Sequence, residues 1–177
     1  MDLVSKVDNI ELLGGMIKHL VTNRGKLGMV FDLEDGFRDT IWMKNCIERL
    51  REDLESTRMF EERYLGPEYE PDEMLKLLQG SLGYTYAFLM KTMSFKPHFH
   101  QPRDRKFLDN DTDYETIGVR KTHDMCHTIS GFDMPIGEIG VIVLYVTQYS
   151  YPAFMLIDLV AIGAACFPGL ARIPNSE

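Results

Sequence analysis

The chain has 177 residues, of which 45% are hydrophobic and 26% are charged. This balance is typical of a globular protein and excludes a disordered or low-complexity chain. Nineteen basic residues against 27 acidic ones give a formal net charge of −8. This charge argues against a nucleic-acid binder, because such proteins need a cationic face to displace counterions from phosphates. The length predicts a single domain over residues 1–177.

Neither the cysteines nor the N-terminus indicates an extracellular protein. The chain has an odd number of cysteines at unrelated spacings, so no disulfide framework is predicted. They are Cys46, Cys126 and Cys166. Acidic residues lie near the N-terminus, where a signal peptide would carry positive charge and an apolar run. The longest apolar stretch, residues 153–167, is too short to span a bilayer. We therefore expect a cytoplasmic protein without a signal or transit peptide, at most peripheral to the inner face of the cytoplasmic membrane.

Helical periodicity dominates the N-terminal half. The first helix is predicted by apolar residues at helical spacing, which are Ile10, Leu13, Ile17 and Leu20. A second, long helix is predicted over residues 41–64, with Asp39 or Thr40 as its cap and a charged face in solvent. Gly66 and Pro67 end this helix, because this dipeptide breaks a helical pattern.

The C-terminal half is also predicted to be helical. The sequence GSLG at residues 80–83 precedes an aromatic-rich helix, and a long polar loop follows over residues 96–113. The last three helices are predicted over residues 114–130, 136–149 and 153–167. Residues 141–146 (VIVLYV) could instead form a buried strand, but no partner strand lies nearby. The predicted fold is all-α, a single compact multi-helix domain. Its methionines and aromatic residues either line an internal apolar tunnel or cleft or form ordinary core.

The motif HDMCH, which begins at His123, interrupts the apolar pattern with potential metal ligands. On an α-helix His123 and His127 lie one turn apart and about 40° around the axis, so both imidazoles can reach one ion. Asp124 can be a ligand or can orient an imidazole, and Glu138 at the start of the next helix can complete the site. This ligand set suits zinc, iron or manganese better than magnesium. The alternative is a surface helix with two ordinary histidines.

Other polar residues near the motif carry weaker signals. Arg120 lies one turn before Asp124, so it can pair with that carboxylate or contact an anionic substrate. His98 and His100 in the polar loop could also take part in the site. Cys126 is expected to pack as a small apolar residue.

Residues 75–152 resemble the ubiquinone (coenzyme Q) biosynthesis protein four family. The resemblance rests on GSLGYTYAFL at residues 80–89, on VRKTHDMCH ending at His127, and on the pair Gly137–Glu138. The hallmark of the family is HDxxH followed by a glutamate. Here ten residues separate His127 from Glu138, one fewer than in the family. Eukaryotic members carry a mitochondrial transit peptide, and none is expected here, which indicates a bacterial homologue. The chain also ends earlier than the family pattern predicts.

The resemblance implies an all-helical protein that takes part in ubiquinone biosynthesis. It implies a divalent metal, most often zinc, with the ligands His123, Asp124, His127 and Glu138. The expected ligand is an isoprenoid lipid or a prenylated quinone precursor. The expected partners are the other enzymes of quinone biosynthesis, and a homo-oligomer is also possible.

Three functions follow as hypotheses. The first is a carboxy-lyase that oxidatively decarboxylates a polyprenyl hydroxybenzoate, with His123, Asp124 and His127 as catalytic residues and Arg120 on the anionic head. The second is a scaffold without catalytic activity that holds the isoprenoid lipid for partner enzymes. The third is an HD-type phosphohydrolase that uses His98 or His100, then His123 and Asp124, then Asp158.

Overall fold

The structure of the chain is a computed structural model that describes residues 3–23, 28–67, 70–94, 110–132 and 137–167. Within these ranges every regular element is an α-helix, so the all-α prediction is confirmed. The helices are α1 (Leu3–Thr22), α2 (Gly28–Phe37), α3 (Ile41–Leu50), α4 (Leu54–Glu62), α5 (Pro71–Met74), α6 (Leu82–Thr92), α7 (Asp111–Ser130), α8 (Gly137–Tyr149) and α9 (Pro152–Cys166). None of the described helices is both long and apolar enough to cross a membrane.

The long helix predicted over residues 41–64 is interrupted, so this prediction is wrong. Asp53 leaves the helical conformation, with φ −89° and ψ 132°, and separates α3 from α4. Its carboxylate accepts a hydrogen bond of 2.8 Å from the backbone N–H of Ser56. This side-chain cap satisfies an amide that a continuous helix would have bonded to its own backbone.

The other predicted helices agree with the observed ones in position. Ser81 of the GSLG sequence caps α6, since its side chain accepts a hydrogen bond from the amide of Tyr84. Residues 141–146 are helical. The sequence did not predict α2 or the four-residue α5. The polar loop predicted over 96–113, including His98 and His100, lies outside the described residues except for its last part, where residues 111–113 begin α7.

The chain divides into two compact units. The first contains Met1–Cys46 and Tyr145–Glu177. In this unit α1, α2 and α9 pack on one another. Its core side chains include Met16, Leu20, Leu33, Phe37, Tyr151, Phe154 and Leu156. Two carboxyl groups, Glu34 and Asp158, are also buried, and the Tyr151 hydroxyl donates a hydrogen bond of 3.1 Å to Glu34.

The second unit, Ile47–Leu144, contains the HDMCH motif. In this unit α6 packs on both α5 and α7. The start of α7 is fixed by Asp111, whose carboxylate pairs with Arg51 at 2.7 Å and Arg63 at 2.8 Å. The Tyr114 hydroxyl donates to the backbone carbonyl of Tyr64. These bonds tie the first turn of α7 to the residues just before and just after α4. The single domain and the internal tunnel stay predictions.

Candidate metal centre

Both histidines of the motif lie on α7, which begins and ends with well-defined caps. The side chain of Asn110 accepts a hydrogen bond from the amide of Asp113, and Gly131 ends the helix in the left-handed conformation at φ 71°. Within the helix, the centroids of the His123 and His127 rings are 4.9 Å apart. The helical spacing therefore brings the two imidazoles together as predicted.

Glu138 lies in the first turn of α8 and faces both imidazoles. Its Oε1 is 2.9 Å from Nε2 of His123, and its Oε2 is 3.1 Å from Nε2 of His127. One ligand atom from each of the three residues lies within 4.8 Å of the others. The two histidines and the glutamate that the sequence singled out thus form one cluster.

The outer edge of each imidazole contacts an oxygen atom. Nδ1 of His127 is 2.9 Å from the backbone carbonyl oxygen of Phe132. A carbonyl oxygen only accepts, so Nδ1 carries the proton and donates it. Nδ1 of His123 is 3.3 Å from Oδ1 of Asp124. These contacts direct Nε2 of both rings toward Glu138, and an outer oxygen of this kind orients most metal-binding histidines.

The cluster favours a positive charge between its members. Burial lowers the pKa of His123, but the carboxylates of Asp124 and Glu138 outweigh it and raise the pKa to about 9. Burial raises the pKa of Glu138, whereas its bonds to both imidazoles lower the pKa to about 2. A lone pair on Nε2 of His127 facing a carboxylate oxygen would be repulsive unless a cation lies nearby. In the metal-free protein the proton on His123 supplies that charge.

The donor set fits a zinc ion. Zinc binds imidazole nitrogen and carboxylate oxygen at about 2.0–2.2 Å, and tetrahedral ligands then lie roughly 3.4 Å from one another. The two contacts of 2.9 and 3.1 Å between Nε2 and the glutamate oxygens are close to this separation. Three protein ligands leave one tetrahedral position for water or substrate, as in catalytic zinc sites.

Three other residues considered from the sequence lie on α7 but outside the three-residue cluster. They are Arg120, Asp124 and Cys126. Asp124 contacts the outer edge of His123, which corresponds to the orienting role predicted for it as one alternative. Arg120 is half-buried one turn earlier on α7, and Cys126 is half-buried and forms no disulfide.

The sequence pattern did not reveal the carbonyl of Phe132. A backbone oxygen carries no residue-type signal. Gly131 was the one available indication, since a left-handed cap turns the chain back toward the last turn of its helix.

Comparison with known proteins identifies the family. Residues 23–165 match the sequence profile of coenzyme Q (ubiquinone) biosynthesis protein Coq4. The chain belongs to the Coq4 family. This match confirms the predicted resemblance and extends it on both sides of residues 75–152. None of the curated proteins compared with this Coq4 family member matches it.

A crystal structure from Nostoc punctiforme PCC 73102 has a similar fold. Its name assigns that protein to ubiquinone biosynthesis. The two chains are 27% identical, with a TM-score of 0.75, over 93% of this chain and 77% of the other. The family to which this chain belongs is thus one of ubiquinone biosynthesis.

Proposed function

We propose that this Coq4 family member is a metal-dependent protein of ubiquinone biosynthesis that binds zinc through His123, His127 and Glu138. The observation that carries the proposal is a single carboxylate whose two oxygens face Nε2 of two imidazoles. Asp124 orients His123 from its outer edge. Zinc is favoured over iron and manganese by the small number of ligands, and over magnesium because magnesium prefers oxygen to imidazole.

The proposed ligand is a polyprenyl hydroxybenzoate. A zinc ion would supply Lewis acidity to the phenolate or carboxylate oxygen of the head group. Nδ1–H of His127 donates a hydrogen bond to the Phe132 carbonyl, so the Nε2 lone pair of His127 is directed into the cluster. Arg120, with a permanent positive charge on the same helix, is proposed to contact the anionic head.

The exposed surface of α8 supports binding of the apolar tail. Ile139 directly follows Glu138, and Val143 lies one turn further along α8. Their side chains are 42% and 39% exposed. An isoprenoid chain that starts at the cluster and covers such side chains would gain about 0.8 kcal/mol for each buried methylene. The same apolar surface supports peripheral membrane association, from which such a lipid would enter.

The proposed activity is replacement of the ring carboxylate by a hydroxyl group, with dioxygen as the oxidant. The C–C bond to the carboxyl group breaks and carbon dioxide leaves. The ring carbon gains oxygen, and dioxygen is reduced to hydrogen peroxide while one water is consumed. The role of His123, Asp124 and His127 is to hold the head group in a fixed orientation, since proximity of this kind lowers the barrier of a reaction between two bound partners.

The metal site is tested by measuring zinc content and zinc affinity. His127→Ala is expected to abolish stoichiometric zinc binding, because it removes one of three ligands. The control is His19→Ala, since His19 is a half-exposed histidine of α1 that pairs with Asp32 and lies outside the cluster. Full zinc retention in folded His127→Ala would overturn the assignment.

The substrate is tested in two further steps. Mass spectrometry of an organic-solvent extract of the gently purified protein should detect an isoprenoid with a quinone-precursor ring. A stoichiometric incubation with carboxyl-labelled polyprenyl hydroxybenzoate under air should then release labelled carbon dioxide in a zinc-dependent manner. Bound lipid without release of carbon dioxide would favour the scaffold, which presents the lipid to partner enzymes.

The phosphohydrolase hypothesis has less support from the geometry. An HD-type site does not need His127 or Glu138, yet both belong to the cluster. Phosphatase activity that survives His127→Ala would restore that hypothesis.

A further inference from the structure

We infer that Gly137 and Gly140 of α8 are positioning residues for the metal ligand His127, and that they act through Phe132. The inference rests on the proposed metal site. Phe132 connects two parts of that site, because its backbone carbonyl accepts the hydrogen bond from His127 while its ring and backbone lie against the two glycines.

The contacts between Phe132 and the glycines leave no room for a side chain. A Cβ added to Gly140 would lie 2.7 Å from Cε2 and 2.8 Å from Cδ2 of the Phe132 ring. A Cβ added to Gly137 would lie 2.7 Å from the carbonyl carbon of Phe132. Carbon atoms pack at about 3.5–4.0 Å, so an added Cβ is too close to the Phe132 ring in the case of Gly140 and to the Phe132 backbone in the case of Gly137. An alanine at either position must therefore displace Phe132.

Backbone conformation does not explain these glycines. The described glycines with positive φ are Gly66, Gly80 and Gly131, so neither glycine of α8 needs the left-handed region. Glycine is among the least favourable residues in a helix. The close approach of Phe132 is the feature that requires glycine here.

The consequence concerns both helices of the metal site. The Phe132 carbonyl fixes which nitrogen of His127 carries the proton, and its ring lies on the first two turns of α8, where Glu138 is located. A displacement of Phe132 that extends to its backbone therefore weakens or removes the bond that directs Nε2 of His127 toward Glu138. Loss of an orienting bond of this kind lowers metal affinity about 10- to 100-fold.

The first test is zinc titration of Gly140→Ala, with zinc alone as the probe. We expect affinity at least tenfold below that of the original protein, at unchanged helical content. Gly118→Ala is the matched control, because Gly118 lies within α7 and a Cβ there would meet nothing within 4 Å. Equal affinity of Gly140→Ala and Gly118→Ala would overturn the inference.

A double substitution separates positioning from general damage. Phe132→Ala removes the ring but keeps the carbonyl, and Phe132 is 43% exposed, so the fold should tolerate it. In that background Gly140→Ala should no longer reduce zinc affinity, because the three atoms nearest its Cβ all belong to the ring. Gly137→Ala should still reduce it, because its Cβ meets the Phe132 backbone. An undiminished effect of Gly140→Ala without the ring would contradict this mechanism.

A measurement without metal distinguishes failure of this inference from failure of the proposed function. The Nδ1–H proton of His127 should give a slowly exchanging NMR resonance in the metal-free protein, assigned by its loss in His127→Gln. Gly140→Ala should weaken or abolish this resonance, and Gly118→Ala should not. If the original protein binds no zinc, the proposed function fails, while this resonance still decides whether the glycines position His127. An unchanged resonance in Gly140→Ala would overturn the inference whatever the zinc result.

Discussion

The metal-free protein is predicted to lose stability as the pH rises from about 6.5 to about 9. The pKa of His123 is raised from 6.5 to about 9 in the folded protein, mainly by the neighbouring carboxylates of Asp124 and Glu138 acting against burial. A group whose pKa is higher in the folded state than in the unfolded state stabilises the fold, and this contribution is fully present below the unfolded-state pKa. That contribution is lost as the pH rises through the folded pKa. The decline should therefore begin near pH 6.5 and be complete slightly above pH 9.

The size of the effect follows from the same two values. The difference between 6.5 and about 9, at about 1.4 kcal/mol per pH unit, corresponds to about 3 to 4 kcal/mol. The His123 side chain is 19% exposed, so solvent screening reduces this figure little. A contribution of about 3 to 4 kcal/mol is a large part of the roughly 5–15 kcal/mol that stabilises a typical domain.

The assay is urea unfolding in the presence of a chelator at pH 6, 7, 8 and 9. Glu138→Gln is the comparison, because it removes one of the two charges that raise the pKa while keeping the shape of the side chain. The difference between the two proteins cancels the contribution of the cysteines and other groups that titrate in this range. A profile that is equally steep in Glu138→Gln would refute the assignment of the pH dependence to this cluster.

Three further predictions concern the same structure. Because His123 is protonated below pH 9 and zinc needs the neutral imidazole, zinc affinity should fall about tenfold per pH unit below that value. Calorimetry in buffers of different ionisation enthalpy should detect about one released proton per ion, and no release would contradict the prediction. Asn110→Ala removes the cap of α7 and should lower the free energy of unfolding by about 1 kcal/mol, visible as a lower urea midpoint. Burial raises the pKa of Asp158, so ionisation of this carboxyl group destabilises the folded protein as the pH rises above 4. Asp158→Asn cannot ionise, so its stability relative to the original protein should increase between pH 4 and 7. A constant difference in stability over this range would refute the prediction.

Helix positions were predictable where one apolar stripe extends over a whole helix. The stripe from Ile10 to Leu20 lies within α1, and the last three predicted helices differ from α7, α8 and α9 by a few residues at their ends. The stripe at residues 41–64 was misleading, because its apolar spacing continues through Asp53 although the backbone does not. A side-chain cap is a local competitor of the helix, and periodicity alone does not detect it.

The metal centre was predictable to the extent that helical geometry fixes it. His123 and His127 meet because residues four apart share a face of any α-helix, and this holds whatever the surrounding fold. Glu138 joins them through the arrangement of α7 and α8, which its position at the start of the next helix and the family motif both indicated. The contacts of Asp124 and of the Phe132 carbonyl depend on a rotamer and on the path of the chain after Gly131. Neither of these can be read from residue types.

The outer contacts also favour a cation in the cluster over an ordinary hydrogen-bond network. Because Nδ1 of His127 already donates to a carbonyl, its Nε2 faces the Glu138 carboxylate favourably only when a positive charge lies between the members of the cluster. Nδ1 of His123 faces a carboxylate in the same way. Two such imidazoles around one glutamate hold a proton in the metal-free protein, and a divalent ion supplies more charge at the same place. A metal bound as proposed would therefore compete with the proton for one site, so stability and zinc affinity should change in opposite directions as the pH rises from 6.5 to 9.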